Sequence, residues 1–490
     1  MSGPIPKLAL LVLFTAIVLI AVFLWTSPGT SSRRTPVAEW LAEAKSADGQ
    51  FISWKEHIID DEALSGIPLR GGDGLAAADF DGDGVTDIVS VHEDSHHVRL
   101  AFGEKSPDRW ISITLAEGSI VREVEDAAVG DIDNDGDPDI VVAVESGGLV
   151  CFINPGREAR DAKAWKRYRP RNTLDRGSYI RVALADLDKN GRLEAIAANK
   201  GEAQAGLGKK NRPGLFDIIG LYSAEPRPVS IYSPLMEQES GNWPLRELGK
   251  LRVPINAEPV DLDGDGDLDI VAGGRGQLGL VWYENLGSSF AAREMDIDGW
   301  WQVISNGFPF LTGQTLAFRD INADGRLDII TQFTLSTFGW IEQPESPSGP
   351  WVLHKIGDIW PDHVAAIEPV DVDSDGVEDI FIGGYSKVPR DRDIESGAIE
   401  QPLGRLAWFR KSRVPEEIWK RIEVSRRVRG MFDEFVILDV DGDGDSDIVG
   451  TRGNSNQYDG VFLLEQQRTS EPVNNFSGAR KFESAQVGLP

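Results

Sequence analysis

A nine-residue acidic pattern, Asp-x-Asp/Asn-x-Asp/Asn-Gly-x-x-Asp/Glu, occurs seven times in this chain of 490 residues, and each copy lies between two short apolar runs. Its oxygen-bearing positions, the first, third, fifth and ninth, are Asp79, Asp81, Asp83 and Asp87 in the first copy and Asp131, Asp133, Asp135 and Asp139 in the second. Then follow Asp186, Asp188, Asn190 and Glu194; Asp261, Asp263, Asp265 and Asp269; and Asp320, Asn322, Asp324 and Asp328. The last two copies carry Asp371, Asp373, Asp375 and Asp379, and Asp439, Asp441, Asp443 and Asp447. Oxygen ligands at this spacing fold back around one hard cation, and calcium is the expected ion, up to seven in all.

The sixth position is glycine every time: Gly84, Gly136, Gly191, Gly266, Gly325, Gly376 and Gly444. Such regularity marks a backbone bend that needs positive φ, which glycine takes without steric cost. The loop is not an EF-hand, which would close on a glutamate at position twelve between two helices. Position twelve here is Ser90, Val142, Ala197, Ala272, Thr331, Ile382 or Gly450, and the flanks read as strands. Turn chemistry alone explains one Asp/Gly-rich connection. It does not explain seven copies in which 26 of 28 ligand positions are acidic. Two like charges about 4 Å apart repel by roughly 4 kcal/mol at an effective dielectric of about 20. Without a cation, loops of this kind push themselves open.

The first Asp recurs after 52, 55, 75, 59, 51 and 68 residues, the period of a propeller blade with variable loops. Third-strand candidates follow each loop: Val98–Phe102, Leu149–Phe152, Ile218–Tyr222, Leu280–Tyr283, Phe338–Ile341, Leu406–Phe409 and Val461–Leu464. An outer series opens mostly on tryptophan, at Trp110, Trp165, Trp351 and Trp419, with weaker members near Trp243 and at Phe290. The seventh outer segment is missing after the last loop and stands before the first, as Trp54–Ile59. The expected fold is therefore all-β, a seven-bladed β-propeller whose last blade is completed from both chain ends, with an N-terminal membrane-anchor helix. The long third repeat, about Gly201 to Lys250, carries GLGKKNRPG and is expected to hold a surface insertion.

The repeats resemble the VCBS/FG-GAP family, the calcium-loop propellers that also form the head of integrin α subunits. The resemblance spans about Phe51 to Gln467. It implies calcium at the four oxygen positions of each copy, in loops joining the first and second strands of a blade. It does not imply one function, because that fold carries adhesion heads, carbohydrate binders and some lyases.

A formal charge of −29 excludes nucleic acid as the natural partner. Much of that acidity is ligand content. Leu8 to Trp25 is an uncharged apolar run of 18 residues, about 27 Å as a helix, without an A-x-A-like cleavage site. It reads as an uncleaved anchor, which divides the chain into a transmembrane signal-anchor (1–26), a tether (27–50), the propeller (51–467) and a polar tail (468–490). Calcium loops fill where calcium is abundant, so the propeller is expected in the periplasm or outside the cell. Cys151, the one cysteine, reads as a buried structural thiol.

No nucleophile elbow, phosphate loop or HExxH occurs, so catalysis is neither indicated nor excluded. His92, His96 and His97 have a spacing that could hold zinc but read as loop decoration; His57 and His354 read as surface residues. His363 precedes an innermost strand and could face the channel. Arg70, Arg122 and Arg252 stand nine residues before a first Asp, and Arg176 and Arg429 ten. Asp73, Glu125, Arg181, Asn256, Gln314 and Asp433 lie close by in sequence. These positions are expected at the channel mouth opposite the loops, where Arg70, Arg176, Arg181 and Arg252 would form a positive funnel for an anionic glycan or protein ligand. The alternative is a polysaccharide lyase working at the same mouth, with arginine on a uronate and His363 or a carboxylate moving the proton.

Overall fold

The computed structural model describes residues 34–36, 41–174, 176–201, 220, 222–235, 241–276, 279–298, 312–360, 362–386, 403–411, 419–428, 431–453, 458–476 and 485–487. The apolar run Leu8–Trp25, the GLGKKNRPG segment and Arg429 lie outside them. Among the described residues no helix is long and apolar enough to cross a membrane.

Seven sheets follow one another along the chain, antiparallel except where Ile297–Asp298 adds a parallel edge to Trp351–Asp358 of blade 5. Blade 1 runs outward from Gly72–Ala78 through Asp87–His92 and His97–Gly103 to Trp110–Glu117. Blades 2 to 6 repeat that order from the innermost strands Val124–Gly130, Tyr179–Ala185, Pro254–Val260, Leu316–Arg319 and His363–Val370. In blade 7, Phe435–Leu438, Asp447–Arg452 and Gly460–Thr469 are completed by Phe51–Asp61, which pairs along its whole length with Gly460–Thr469. The ring thus closes on the segment around Trp54.

Second strands such as Asp139–Val144 are buried at every residue. A neighbouring blade covers each face, so they read as unbroken apolar runs, without the alternation of a half-solvated sheet. The core is accordingly not central. Seven apolar clusters each fill one seam between adjacent blades, the seventh joining Leu75, Ile88 and Ala101 of blade 1 to Val449, Val461 and Leu463 of blade 7.

Two expectations change. The third strand of blade 3 is Pro226–Tyr232, which brings Val229 and Ile231 into the seam with blade 4; the expected segment Ile218–Tyr222 lies mostly outside the described residues and is not a strand of this sheet. Its outer strand, Leu245–Arg252, belongs to the blade, so the insertion ends well before Lys250. The tether and tail are also not free of structure throughout. Arg34–Pro36 pairs with Ala485–Val487, which borders the outer strand Lys420–Val428 of blade 6, and Ala42 N donates to Val473 O at 2.9 Å. Covering that edge removes an open strand from solvent.

Candidate functional site

Each acidic loop joins the first and second strands of its blade at one end of the ring. All seven sixth-position glycines have φ between +81° and +99°. The fourth position is left-handed too, and there four residues, Asn134, Lys189, Ala323 and Ser374, carry a steric cost, smallest for asparagine, that Gly82, Gly264 and Gly442 do not. The bend turns the first carboxylate inward onto the backbone. Asp79 accepts from Asp83 N at 3.1 Å and from Gly84 N at 2.8 Å, and Asp131, Asp186, Asp320, Asp371 and Asp439 repeat this at their own fifth and sixth residues.

The ninth position has a second task. Asp87 accepts from Phe80 N at 2.8 Å and from Gly103 N at 2.9 Å, tying the loop to the end of the third strand. Asp139, Asp269, Asp328 and Asp447 make the equivalent pair of bonds, while Glu194 and Asp379 are described with one each. Phe80 is the loop's second residue, and this position is a wedge in every copy: Phe80, Ile132, Leu187, Leu262, Ile321, Val372 and Val440 each enter the seam with the following blade. Asn154, Asn285 and Gln343 of the following blades reach back to the carbonyls of Phe80, Leu187 and Leu262 at 2.7–2.9 Å. Loop and seam are one unit.

The donor set suits a hard cation. Asp79, Asp81 and Asp87 bring one oxygen each within 4.8 Å of the others, as do Asp131, Asp133 and Asp139; Asp186, Asp188 and Glu194; and Asp261, Asp263 and Asp265. Asp261 Oδ1 and Asp379 Oδ2 are buried without a hydrogen-bond partner among the described residues. Burial, reinforced by neighbouring carboxylates, pushes Asp87, Asp139, Asp328 and Asp447 up to about 7 against the pull of their backbone donors. A cation would relieve that repulsion. Three copies already hold a guanidinium on a carboxylate of the third or fifth position: Arg160 on Asp81 and Asp83, Arg326 on Asp324, and Arg410 on Asp373.

At the opposite end of the axis, five innermost strands shift register at the same place: Gly72/Leu75, Val124/Asp126, Tyr179/Val182, Pro254/Asn256 and Val364/Ala366. A bulge re-aims side chains. Asp73 there lies within range of Asp433 and Glu125, and Arg181 within range of Asp433. Arg181 lies 3.3 Å from both Asp126 and Glu434, and Asn256 donates to Gln314 O at 3.2 Å. His363 opens the innermost strand of blade 6, its ring 5.7 Å from that of Tyr385.

The positive funnel does not form. Arg70 pairs with Glu62 and Arg176 with Glu247, while Arg252 is exposed at the end of an outermost strand. Nine or ten residues before the first Asp is the connection arriving from the previous blade, so these side chains meet rim carboxylates and not the axis. Sequence reasoning noticed Glu93 only beside the histidines and missed Glu145, Lys200 and Arg275; all four stand 14 residues after a first Asp. Their backbone N–H groups donate to Gly71, Glu123, Ser178 and Val253 at 2.7–2.9 Å, which fixes four equivalent places at the mouth. That common offset was the available signal. Burial, with the charge of Glu93, raises Glu125 to about 8, and burial lowers Lys200 to about 8.

The histidines separate. His92 is buried against Ser90, His96 bonds Glu93 O, and His97 faces Glu117. His57 is not a surface residue: it lies buried between Asp108 at 2.7 Å and Glu465 at 2.5 Å. His354 stacks on Trp340, and Cys151 is buried and free.

The FG-GAP-like repeat family matches residues 131–197 and 261–331. No curated protein matches the chain. Among solved structures, BBS1N in complex with ARL6DN is similar at a TM-score of 0.45 and 12% identity, over 86% of this chain and 99% of that one. YCF48 from Cyanidioschyzon merolae is similar at 0.47 and 9%, over 84% and 98%. An Agrocybe aegerita lectin described as recognising non-reducing terminal N-acetylglucosamine is similar at 0.37 and 14%, over 85% and 99%. With seven sheets closed into a ring, the chain is a seven-bladed β-propeller that carries FG-GAP-like repeats at two places, in its second-to-third and fourth-to-fifth blades.

Proposed function

We propose that this chain is an extracytoplasmic ligand-binding propeller, held at a membrane by Leu8–Trp25, stiffened by calcium in its loops, and taking a glycan or protein ligand at the channel mouth. One observation carries the calcium reading: the residue beside each first ligand Asp is the wedge in a blade seam. Ions held by the first, third, fifth and ninth positions would pin those wedges. Calcium-rich surroundings outside the cytoplasm suit such sites. The mouth supports binding because the bulges bring charged side chains from several blades together there. Its acidic balance withdraws the preference for an anionic ligand.

A second reading rests on Glu125 and Lys200. A carboxyl and an amine that both titrate at about 8 in one mouth are suited to moving a proton near neutrality, as a lyase requires. Glycan screening of the full chain in detergent separates the two readings: binding without new ultraviolet absorbance supports the binding module, and absorbance from new double bonds supports the lyase.

Calorimetry with calcium and with a chelator tests the scaffold. The unfolding midpoint should fall on chelation as seam wedges loosen. An unchanged midpoint overturns the calcium reading, and recovery of the chain in the soluble fraction overturns the anchor.

A further inference from the structure

The carboxylates at the mouth belong to no motif, since separate blades supply them. Glu93 of blade 1 and Glu125 and Glu145 of blade 2 each offer an oxygen within 4.8 Å of the other two, and all three remain partly open to solvent. Behind them is Asp73, 4% exposed, whose Oδ2 has no hydrogen-bond partner among the described residues. The charges that act on it most are Asp433, Glu125 and Glu93, so it lies within electrostatic reach of two members of the triad. Asp433 Oδ1 is likewise buried without a partner among the described residues. Ionised carboxylates only accept, so such a group needs a proton or a cation among its members.

Resident cations do not meet that need. Lys200 sits on Glu145, Arg275 acts on Glu125 and Asp433, and Arg181 is engaged by Asp126 and Glu434. Lys200, Arg275 and Arg181 therefore bring three positive charges, the last shared with Asp126 and Glu434, to five carboxyl groups, Asp73, Glu93, Glu125, Glu145 and Asp433. The triad contains oxygen donors only, the choice of calcium, magnesium or manganese over the softer metals.

We propose that the mouth is a divalent-cation site, separate from the seven loops, in which Glu93, Glu125 and Glu145 ligate a hard cation with Asp73 behind them. The six residues from Asp73 to Asp79 set it about 20 Å from the nearest loop along the strand. An ion there cross-links blades 1 and 2 at the end of the axis that the loops do not reach. The site goes beyond the calcium-loop reading and does not require the loops to be filled.

Manganese is the probe, with bound and free ion counted by spin resonance on the full chain in detergent. Glu125→Gln with Glu145→Gln should bind one ion fewer than the wild type. Asp261→Asn, in a loop, should lose a different ion, so that the combined variant binds two fewer. If only the Gln pair loses an ion, the loop reading fails and the mouth site stands. Lys200→Ala removes the ammonium from Glu145 and should tighten the mouth ion by about tenfold, the effect of deleting a partly screened like charge. Equal stoichiometry in the wild type and the Gln pair overturns the proposal. Should the Gln pair not fold, Lys200→Ala decides alone: unchanged manganese affinities overturn it.

Discussion

At the scale of single residues, the acidic positions of one loop do different work. Asp263 is exposed and stands among carboxylates, whereas Asp269 is 1% exposed and accepts from Leu262 N at 3.3 Å and Asn285 N at 2.7 Å. Asparagine at 269 turns one accepting oxygen into an NH2 facing a backbone N–H. Asp269→Asn should therefore cost about 2–3 kcal/mol in denaturant unfolding with calcium or with chelator. Asp263→Asn should cost stability only when calcium is present. Equal losses from both substitutions in chelator would remove the distinction. Sequence made the acids legible as a set. It did not separate ligand from brace, because the brace is defined by an N–H in another strand.

At the scale of elements, the apolar runs announced the strands, and the ones that failed did so for a physical reason. Ile218–Tyr222 and Pro226–Tyr232 are both strand-like in sequence, and only seam packing chooses between them. The closing strand was readable because an outer Trp segment was missing at one end of the chain and surplus at the other. Its Trp54 is 2% exposed and meets Phe381 edge-on at 6.1 Å, so it fills the seam between blades 6 and 7. Trp54→Ala should lose about 3–5 kcal/mol in denaturant unfolding. Trp360→Ala, at a residue 45% exposed, should stay within about 0.5 kcal/mol. Similar losses from both would show that the ring does not depend on its closing strand.

At the scale of the whole molecule, the ring concentrates acid at both ends of its axis. Buried carboxyls along the channel then set a pH dependence. Burial, with the charge of Asp126, raises Glu258 from 4.5 to about 7. A raised carboxyl contributes stability that is present below its unfolded value and lost as pH rises through its folded value. With chelator present, the wild type should lose stability between pH 5 and 8, and Glu258→Gln should flatten that fall by about 1–3 kcal/mol. The measurement is unfolding free energy against pH; a variant with a slope as steep as the wild type would exclude Glu258 as a source.

The sequence alone determined the number of blades, the loop chemistry and the closure, because each is written locally: a glycine that must take positive φ, carboxylates at fixed offsets, and apolar runs that tolerate no solvent face. Only the tertiary structure decided the character of the mouth. Arg70 and Arg176 looked convergent by offset, yet the connections that carry them end beside Glu62 and Glu247. Glu93, Glu125 and Glu145 lie far apart in sequence, and they meet because successive blades turn about one axis. Local pattern fixes what a segment becomes, whereas charge balance at an axis depends on which neighbours the ring closure brings together.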